Sequence, residues 1–249
     1  MYTLPKIERF NQDVLSKYHI YNSVFITLPF DSIDNTGVLL PLFTDVCDTG
    51  FKKQETPGEI VEFFTKKYLH TDSESDKINL MFRFIQYIER QIVLFDAIED
   101  AAFPAVNNME GRGSLRDIKE KADDKNSQEE LTEFLENFNV RTVLTAHPTQ
   151  FYPGAVLGII NDLTEAIRNN NLLGIKQLLA QLGKTPFIQN EKPNPYDEAV
   201  SLIWYLENVF YETAGEMVHY LEKNLFNGNS INNPLIKLGF WPGGDRDGN

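Results

Sequence analysis

The sequence predicts a mainly helical chain that also carries two short parallel strands. Three observations lead to that reading. Apolar residues recur at helical spacing along most of the chain, as in Leu80, Phe84, Tyr87, Ile88, Ile92, Phe95 and Ile98. Two helix starts have capping-box residues, Thr56-Pro57-Gly58-Glu59 and Ser127-Gln128-Glu129-Glu130. Two short apolar runs, Arg141–Thr145 and Leu235–Phe240, are separated by helical segments, which suits parallel pairing through a crossover.

In chain order, Ile7–Tyr18 reads as a first short helix. Ser23–Phe30 is an apolar, β-prone run ended by Pro29, and periodicity leaves it open between strand and helix. Asp31–Asn35 is a turn, and Val38–Cys47 has helical spacing in Leu39, Leu42, Phe43 and Val46. The first capping box, with Pro57 at the first helical position, opens a helix to Leu69. After the polar connector Thr71–Asp76, a long helix runs from Lys77 to Ala102 and Phe103-Pro104 ends it. Asn107–Gly113 is a loop and the charged segment to Asp124 is weakly helical. The second capping box opens a helix to Asn137, and the first strand, read as a buried one, follows. Gly154–Asn169 is amphipathic, with Val156, Ile159, Ile160, Leu163 and Ile167 inward. The run Asn169-Asn170-Asn171 breaks it, and Leu173–Leu182 forms its antiparallel neighbour. Asn194 caps and Pro195 begins the longest helix, to Phe226; Asn227-Gly228 ends it before the second strand.

Composition narrows the function classes. The chain has 249 residues, 42% of them hydrophobic, enough for one large core or two small ones. Its formal net charge of −13 argues against nucleic acid as a partner. No apolar run approaches the roughly 18 residues that span a bilayer, and Met1–Lys6 has no signal-type stretch. The single Cys47 forms no internal disulfide and fits a reducing, cytoplasmic setting. No His or Cys spacing suits a metal site.

Two stretches carry the chemistry. In Val143-Leu144-Thr145-Ala146-His147-Pro148-Thr149-Gln150, Pro148 holds its own φ and keeps His147 out of the helical region. His147 is thereby placed on a constrained loop at the carboxyl end of a strand, the edge where α/β folds collect chemistry. A structural histidine beside a proline is the alternative. In Trp241-Pro242-Gly243-Gly244-Asp245-Arg246-Asp247-Gly248-Asn249, Gly243 and Gly244 let backbone N–H groups approach a ligand. Arg246 supplies a planar cation for phosphate or carboxylate, held between two acids; a tight turn with a surface ion-pair cluster is the alternative. The remaining histidines take structural readings: His19 and His70 near helix ends, His219 packed or solvent-facing in the long helix. Asp197 and Glu198 fall in a first helical turn, where acids favour the dipole.

Taken together, Thr145-Ala146-His147-Pro148-Thr149-Gln150 and Trp241-x-Gly243-Gly244-Asp245-Arg246-Asp247-Gly248-Asn249 resemble the two amino-terminal motifs of phosphoenolpyruvate carboxylase. Leu179-Ala180-Gln181, and Lys192-Pro193-Asn194-Pro195 leading to Asp197-Glu198, resemble the stretch between those motifs. The resemblance is clear from Val143 to Asn249 and faint before. Departures follow the histidine motif, where Phe151-Tyr152-Pro153-Gly154 replaces a pair of arginines, and at Pro242, which takes the place of a Met. These departures suggest a divergent bacterial branch.

The resemblance implies a helical body over residues 1–140 and, over 141–249, the first two strand–helix units of an incomplete TIM-like α/β barrel, as the amino-terminal part of a longer chain. It implies formation of oxaloacetate and phosphate from phosphoenolpyruvate and bicarbonate, through carboxyphosphate and the enolate of pyruvate. It makes His147 catalytic and Gly243, Gly244 and Arg246 substrate-binding. Magnesium or manganese would be held by ligands outside this chain, and the full-length protein would be a cytoplasmic homo-oligomer. This piece alone is expected to be inactive. A non-catalytic helical binding or scaffold module is the other class to test.

Overall fold

The computed structural model describes residues 4–28, 36–70, 73–145, 154–186 and 194–241. In chain order the elements are α1 (Lys6–Phe10), a π-helical turn (Asn11–Leu15), α2 (Ser16–Thr27), α3 (Thr36–Lys52) and α4 (Pro57–Phe64). A second π turn (Thr65–Leu69), α5 (Glu74–Val106), α6 (Leu115–Asp124), α7 (Gln128–Asn137) and β1 (Val140–Thr145) follow. Then come α8 (Gly154–Arg168), α9 (Leu172–Lys184), α10 (Pro195–Tyr205), a third π turn (Leu206–Phe210), α11 (Tyr211–Asn224) and β2 (Ile236–Trp241). The described fold is mainly helical, and its one sheet pairs β1 and β2 in parallel.

Two compact units emerge, and they interleave along the chain. The first comprises Met1–Asn107 and Tyr152–Ile188; the second comprises Asn108–Phe151 and Gln189–Asn249. In the first unit α5 is the axis, and it serves two cores in succession. Leu80 and Phe84 join Val46 and Phe64, with Phe43 stacked on Phe84 at 5.2 Å. One helical turn on, Tyr87, Val93, Leu94, Ala97 and Ile98 join Val14, Phe25 and the inner faces of α8 and α9. All five inward residues expected on α8 are buried. At about 1.5–3 kcal/mol per fully buried Leu or Ile, this face is the main reason α8 sits on α5.

Local chemistry sets the helix ends. Thr56 and Glu59 exchange bonds across the start of α4, with Glu59 Oε2 accepting from the Thr56 N–H at 2.7 Å. Those bonds hold the Glu59 carboxyl below its ordinary range. Asn170, at φ 52°, ends α8, and the Asn171 side chain then caps α9. Arg90, 4% exposed, donates from Nε to the Leu182 carbonyl at 3.1 Å and from Nη2 to the Thr185 carbonyl at 2.8 Å. A buried guanidinium thus satisfies the orphan carbonyls at the end of α9, a cation at the favourable end of the dipole.

Several expectations are corrected here. The run from Ser23, which periodicity left open, is helical through Thr27, with Phe25 and Tyr21 drawn into the main core. Pro104 lies inside α5, which runs on to Val106. On α5, Ile88 and Ile92 are exposed rather than inward, and Val93, Leu94 and Ala97 take the buried positions. The longest helix is α5, with 33 residues, and a π turn interrupts the shorter segment from Pro195 to Asn224. Ser127 stands before α7 without a side-chain cap bond, so the second capping box does not form. The strand read as buried is largely exposed, with Val143 at 48%.

Candidate active site

The second unit is built around a small core that fixes where the strands begin. Asn227 (φ 54°) and Gly228 (φ 83°) take left-handed conformations and stop α11. Leu221, Leu225 and Phe226 then pack with Leu235 at the foot of β2, joined by Leu115, Leu131 and Leu135. The Asn233 side-chain amide donates to the carbonyls of Leu135 and Phe138, tying the approach to β2 to the approach to β1. The Val140 N–H donates to the Leu235 carbonyl at 2.9 Å, and the parallel ladder starts there.

From that start the register runs Val140↔Ile236, Arg141↔Lys237, Thr142↔Leu238, Val143↔Gly239, Leu144↔Phe240 and Thr145↔Trp241. Thr145 is the first residue of the histidine motif and Trp241 the first of the glycine–arginine motif. The two motifs therefore begin on the same rung, at the carboxyl edge of two parallel strands. That edge is the face on which α/β architectures assemble active sites. Trp241 is 61% exposed and Phe240 50%, so neither ring is packed into a core at this edge. His147, Gly243, Gly244 and Arg246 lie outside the described residues, as do Asp245 and Asp247.

Other titratable candidates have structural explanations. Asp197 accepts from the Asn194 N–H at 3.0 Å, while Asn194 Oδ1 accepts from the N–H groups of Tyr196 and Asp197, a complete capping box at the start of α10. Glu165 pairs with Arg168 on the exposed side of α8. His70 ends a helical segment in a left-handed conformation (φ 54°), as its position near a helix end suggested. His19 instead lies within α2, its ring 6.0 Å from that of Tyr18, and His219 is exposed on α11. Among the described residues, no group of three His, Cys, Asp or Glu side chains could hold a metal ion. Also among them, no helix is long and apolar enough to cross a membrane.

Comparison with known proteins bears on the whole of this region. Residues 78–249 match the family described as phosphoenolpyruvate carboxylase. The chain belongs to that family. It is 30% identical over 138 residues to the phosphoenolpyruvate carboxylase of Shewanella sediminis, covering 49% of this chain and 16% of that protein. It is 29% identical over 153 residues to the enzyme of Proteus mirabilis, covering 55% of this chain and 17% of that protein. To the enzyme of Aeromonas hydrophila it is 31% identical over 139 residues, covering 49% of this chain and 16% of the relative. The chain thus spans about a sixth of the length of the curated relatives it matches. The family match extends back to residue 78, taking in most of α5. The sequence reading found only a faint resemblance there, because α5 carries no polar motif, only an apolar pattern many helices share.

Sequence reading passed over two features of the family segment. One is Arg90, whose charge reads as surface but whose guanidinium is buried. The other is the rung Arg141↔Lys237, where two cations are register partners. Strand register was the missing information in that case.

Proposed function

We propose that this chain carries part of a phosphoenolpyruvate carboxylase active site, at the carboxyl edge of the β1–β2 ladder. The observation that supports this most is the pairing of Thr145 with Trp241, which starts both motifs on one rung. In the proposed reaction phosphoenolpyruvate transfers its phosphoryl group to bicarbonate, leaving carboxyphosphate and the enolate of pyruvate. His147 takes the carboxyl proton of carboxyphosphate, its C–O bond to phosphate breaks, and carbon dioxide and phosphate result. The enolate carbon then bonds to carbon dioxide to give oxaloacetate. Backbone N–H groups at Gly243 and Gly244, with the Arg246 guanidinium, hold the transferring phosphoryl group or bicarbonate.

A divalent magnesium or manganese ion would neutralise phosphate and enolate charge when bound. Among the described residues no group of His, Cys, Asp or Glu fits such an ion; its ligands are proposed to lie outside this chain, as the family resemblance implies, and no step is routed through it. The piece alone is accordingly proposed to be inactive. The complete protein is proposed to be a cytoplasmic homo-oligomer that binds no nucleic acid and continues the ladder into a TIM-like barrel.

The deciding experiment is His147→Asn in the full-length enzyme, following phosphate and oxaloacetate in parallel. Asn keeps a hydrogen-bonding tip but takes no proton near neutral pH. Oxaloacetate formation should fall by about 100-fold or more while bicarbonate-dependent phosphate release persists. Equal loss of both products would move His147 to the phosphoryl transfer. Near-normal yields of both would make it structural.

A further inference from the structure

Arg141 and Lys237 are register partners on adjacent parallel strands, about 4.8 Å apart along the hydrogen-bonding direction. Register partners in a parallel ladder project to the same face. A Cβ added at Gly239 would lie 3.9 Å from Arg141 Cδ and 3.6 Å from Val143 Cγ2, so the arginine stem runs along that face over the glycine. Arg141 is exposed and Lys237 half-buried. Neither takes part in an ion pair with any described residue.

This placement is unusual in a chain with 36 acidic against 23 basic residues. Like charges placed directly opposite across strands destabilise a sheet, and the repulsion between full charges grows as the face is shielded from water. An anion between them reverses the sign of the effect. The guanidinium offers a planar fork to two oxygens on one atom, and the ammonium adds a point charge from the neighbouring strand. Gly239, next along this face of β2, has no side chain to crowd the space above the pair.

We propose that Arg141 and Lys237 form an oxyanion site on the face of the ladder, taking a phosphate or carboxylate group. It is separate from the motif edge, because Arg141 lies four strand steps, about 13 Å, from Thr145. It therefore stands or falls independently of the carboxylase reading.

The test is thermal unfolding of the chain with increasing inorganic phosphate at constant ionic strength. Wild type should show a rise that grows with the logarithm of phosphate concentration and reaches about 5–10 °C at one hundred times its Kd. Arg141→Gln and Lys237→Gln should each lose that rise. Arg141→Glu places a carboxylate opposite Lys237, so it should melt higher than wild type without phosphate and gain nothing from it. Lys176→Gln, which removes an exposed cation on α9, should keep the wild-type response. The proposal fails if all variants respond alike, which would mean an adventitious ion only. It also fails if wild type shows no rise with phosphate, or if Arg246→Gln abolishes the response while Arg141→Gln and Lys237→Gln keep it, which would assign phosphate to the motif loop.

Discussion

The two units solve the problem of burial differently. In the first, α5 is wrapped by helices on successive faces, and Val14, Leu94, Ile98, Leu163, Ile167 and Leu179 are all fully buried. Among the described residues of the second, the buried cluster is Leu221, Leu225, Phe226 and Leu235, at the amino end of the ladder, with Leu202 and Ala122 buried apart from it. Much of its apolar surface is open: Val143, Phe240 and Trp241 on the strands, and Tyr196, Val200, Ile203 and Tyr211 on the helices, are all exposed. Stability and candidate chemistry are thus carried by different parts of the chain. Among the described residues, the unit that holds the motif-bearing edge has the smaller core of its own.

If that contrast is right, core truncation should be costly in the first unit. Leu163 is fully buried in the α5–α8–α9 core, so Leu163→Ala should destabilise by about 3 kcal/mol, read from denaturant midpoints. A loss under about 1 kcal/mol would show that this core is looser than its burial suggests, and the contrast would collapse.

Helix caps sharpen the comparison at a smaller scale. Thr56 forms a reciprocal capping box in the first unit, whereas Ser127 makes no cap bond in the second. Thr56→Ala should cost about 1 kcal/mol, and Ser127→Ala a few tenths at most. Equal losses would mean that Ser127 caps α7 in solution.

A third effect depends on pH. Burial raises the Glu89 carboxyl above its usual range, against the favourable pull of Arg90, and its Oε2 is buried with no hydrogen-bond partner among the described residues. A carboxyl with a raised folded-state value favours the protonated form. Its penalty is absent at low pH, grows as pH rises through the folded value, and is constant above it. Glu89→Gln should therefore be more stable than wild type at neutral pH, and that advantage should vanish in acid. A pH-independent difference would assign the effect to packing.

These contrasts also show what sequence could and could not specify. The inward face of α8, the Thr56 box and the Asn194 cap were legible because one local rule decides each of them. The face of α5 was not. Its middle is apolar nearly all round, so periodicity could not tell that Leu80 and Phe84 serve one core and Val93 to Ile98 another. Helix against strand after Ser23 was settled by the burial of Phe25, a tertiary effect that local propensity does not contain. At the candidate site the motifs themselves were legible. Their meeting on one rung needed the register, which no single strand encodes.

The smallest expected effect on stability bears on the open surface of the second unit. Val143 is 48% exposed on a ladder with two strands, and Leu238, Phe240 and Trp241 add to the same sheet. A short parallel ladder with exposed apolar side chains and unpaired strand edges invites association with other chains. The chain should therefore self-associate in light scattering as concentration rises. Val143→Thr keeps a β-branched residue in the strand, so its stability should change by no more than about 0.5 kcal/mol. It replaces an exposed methyl with a hydroxyl, so association should weaken at equal stability. Leu163→Ala gives the opposite pattern, a large loss of stability with no direct change to this surface. A monodisperse wild-type chain would mean that the ladder is already covered, and the second unit would then be as closed as the first.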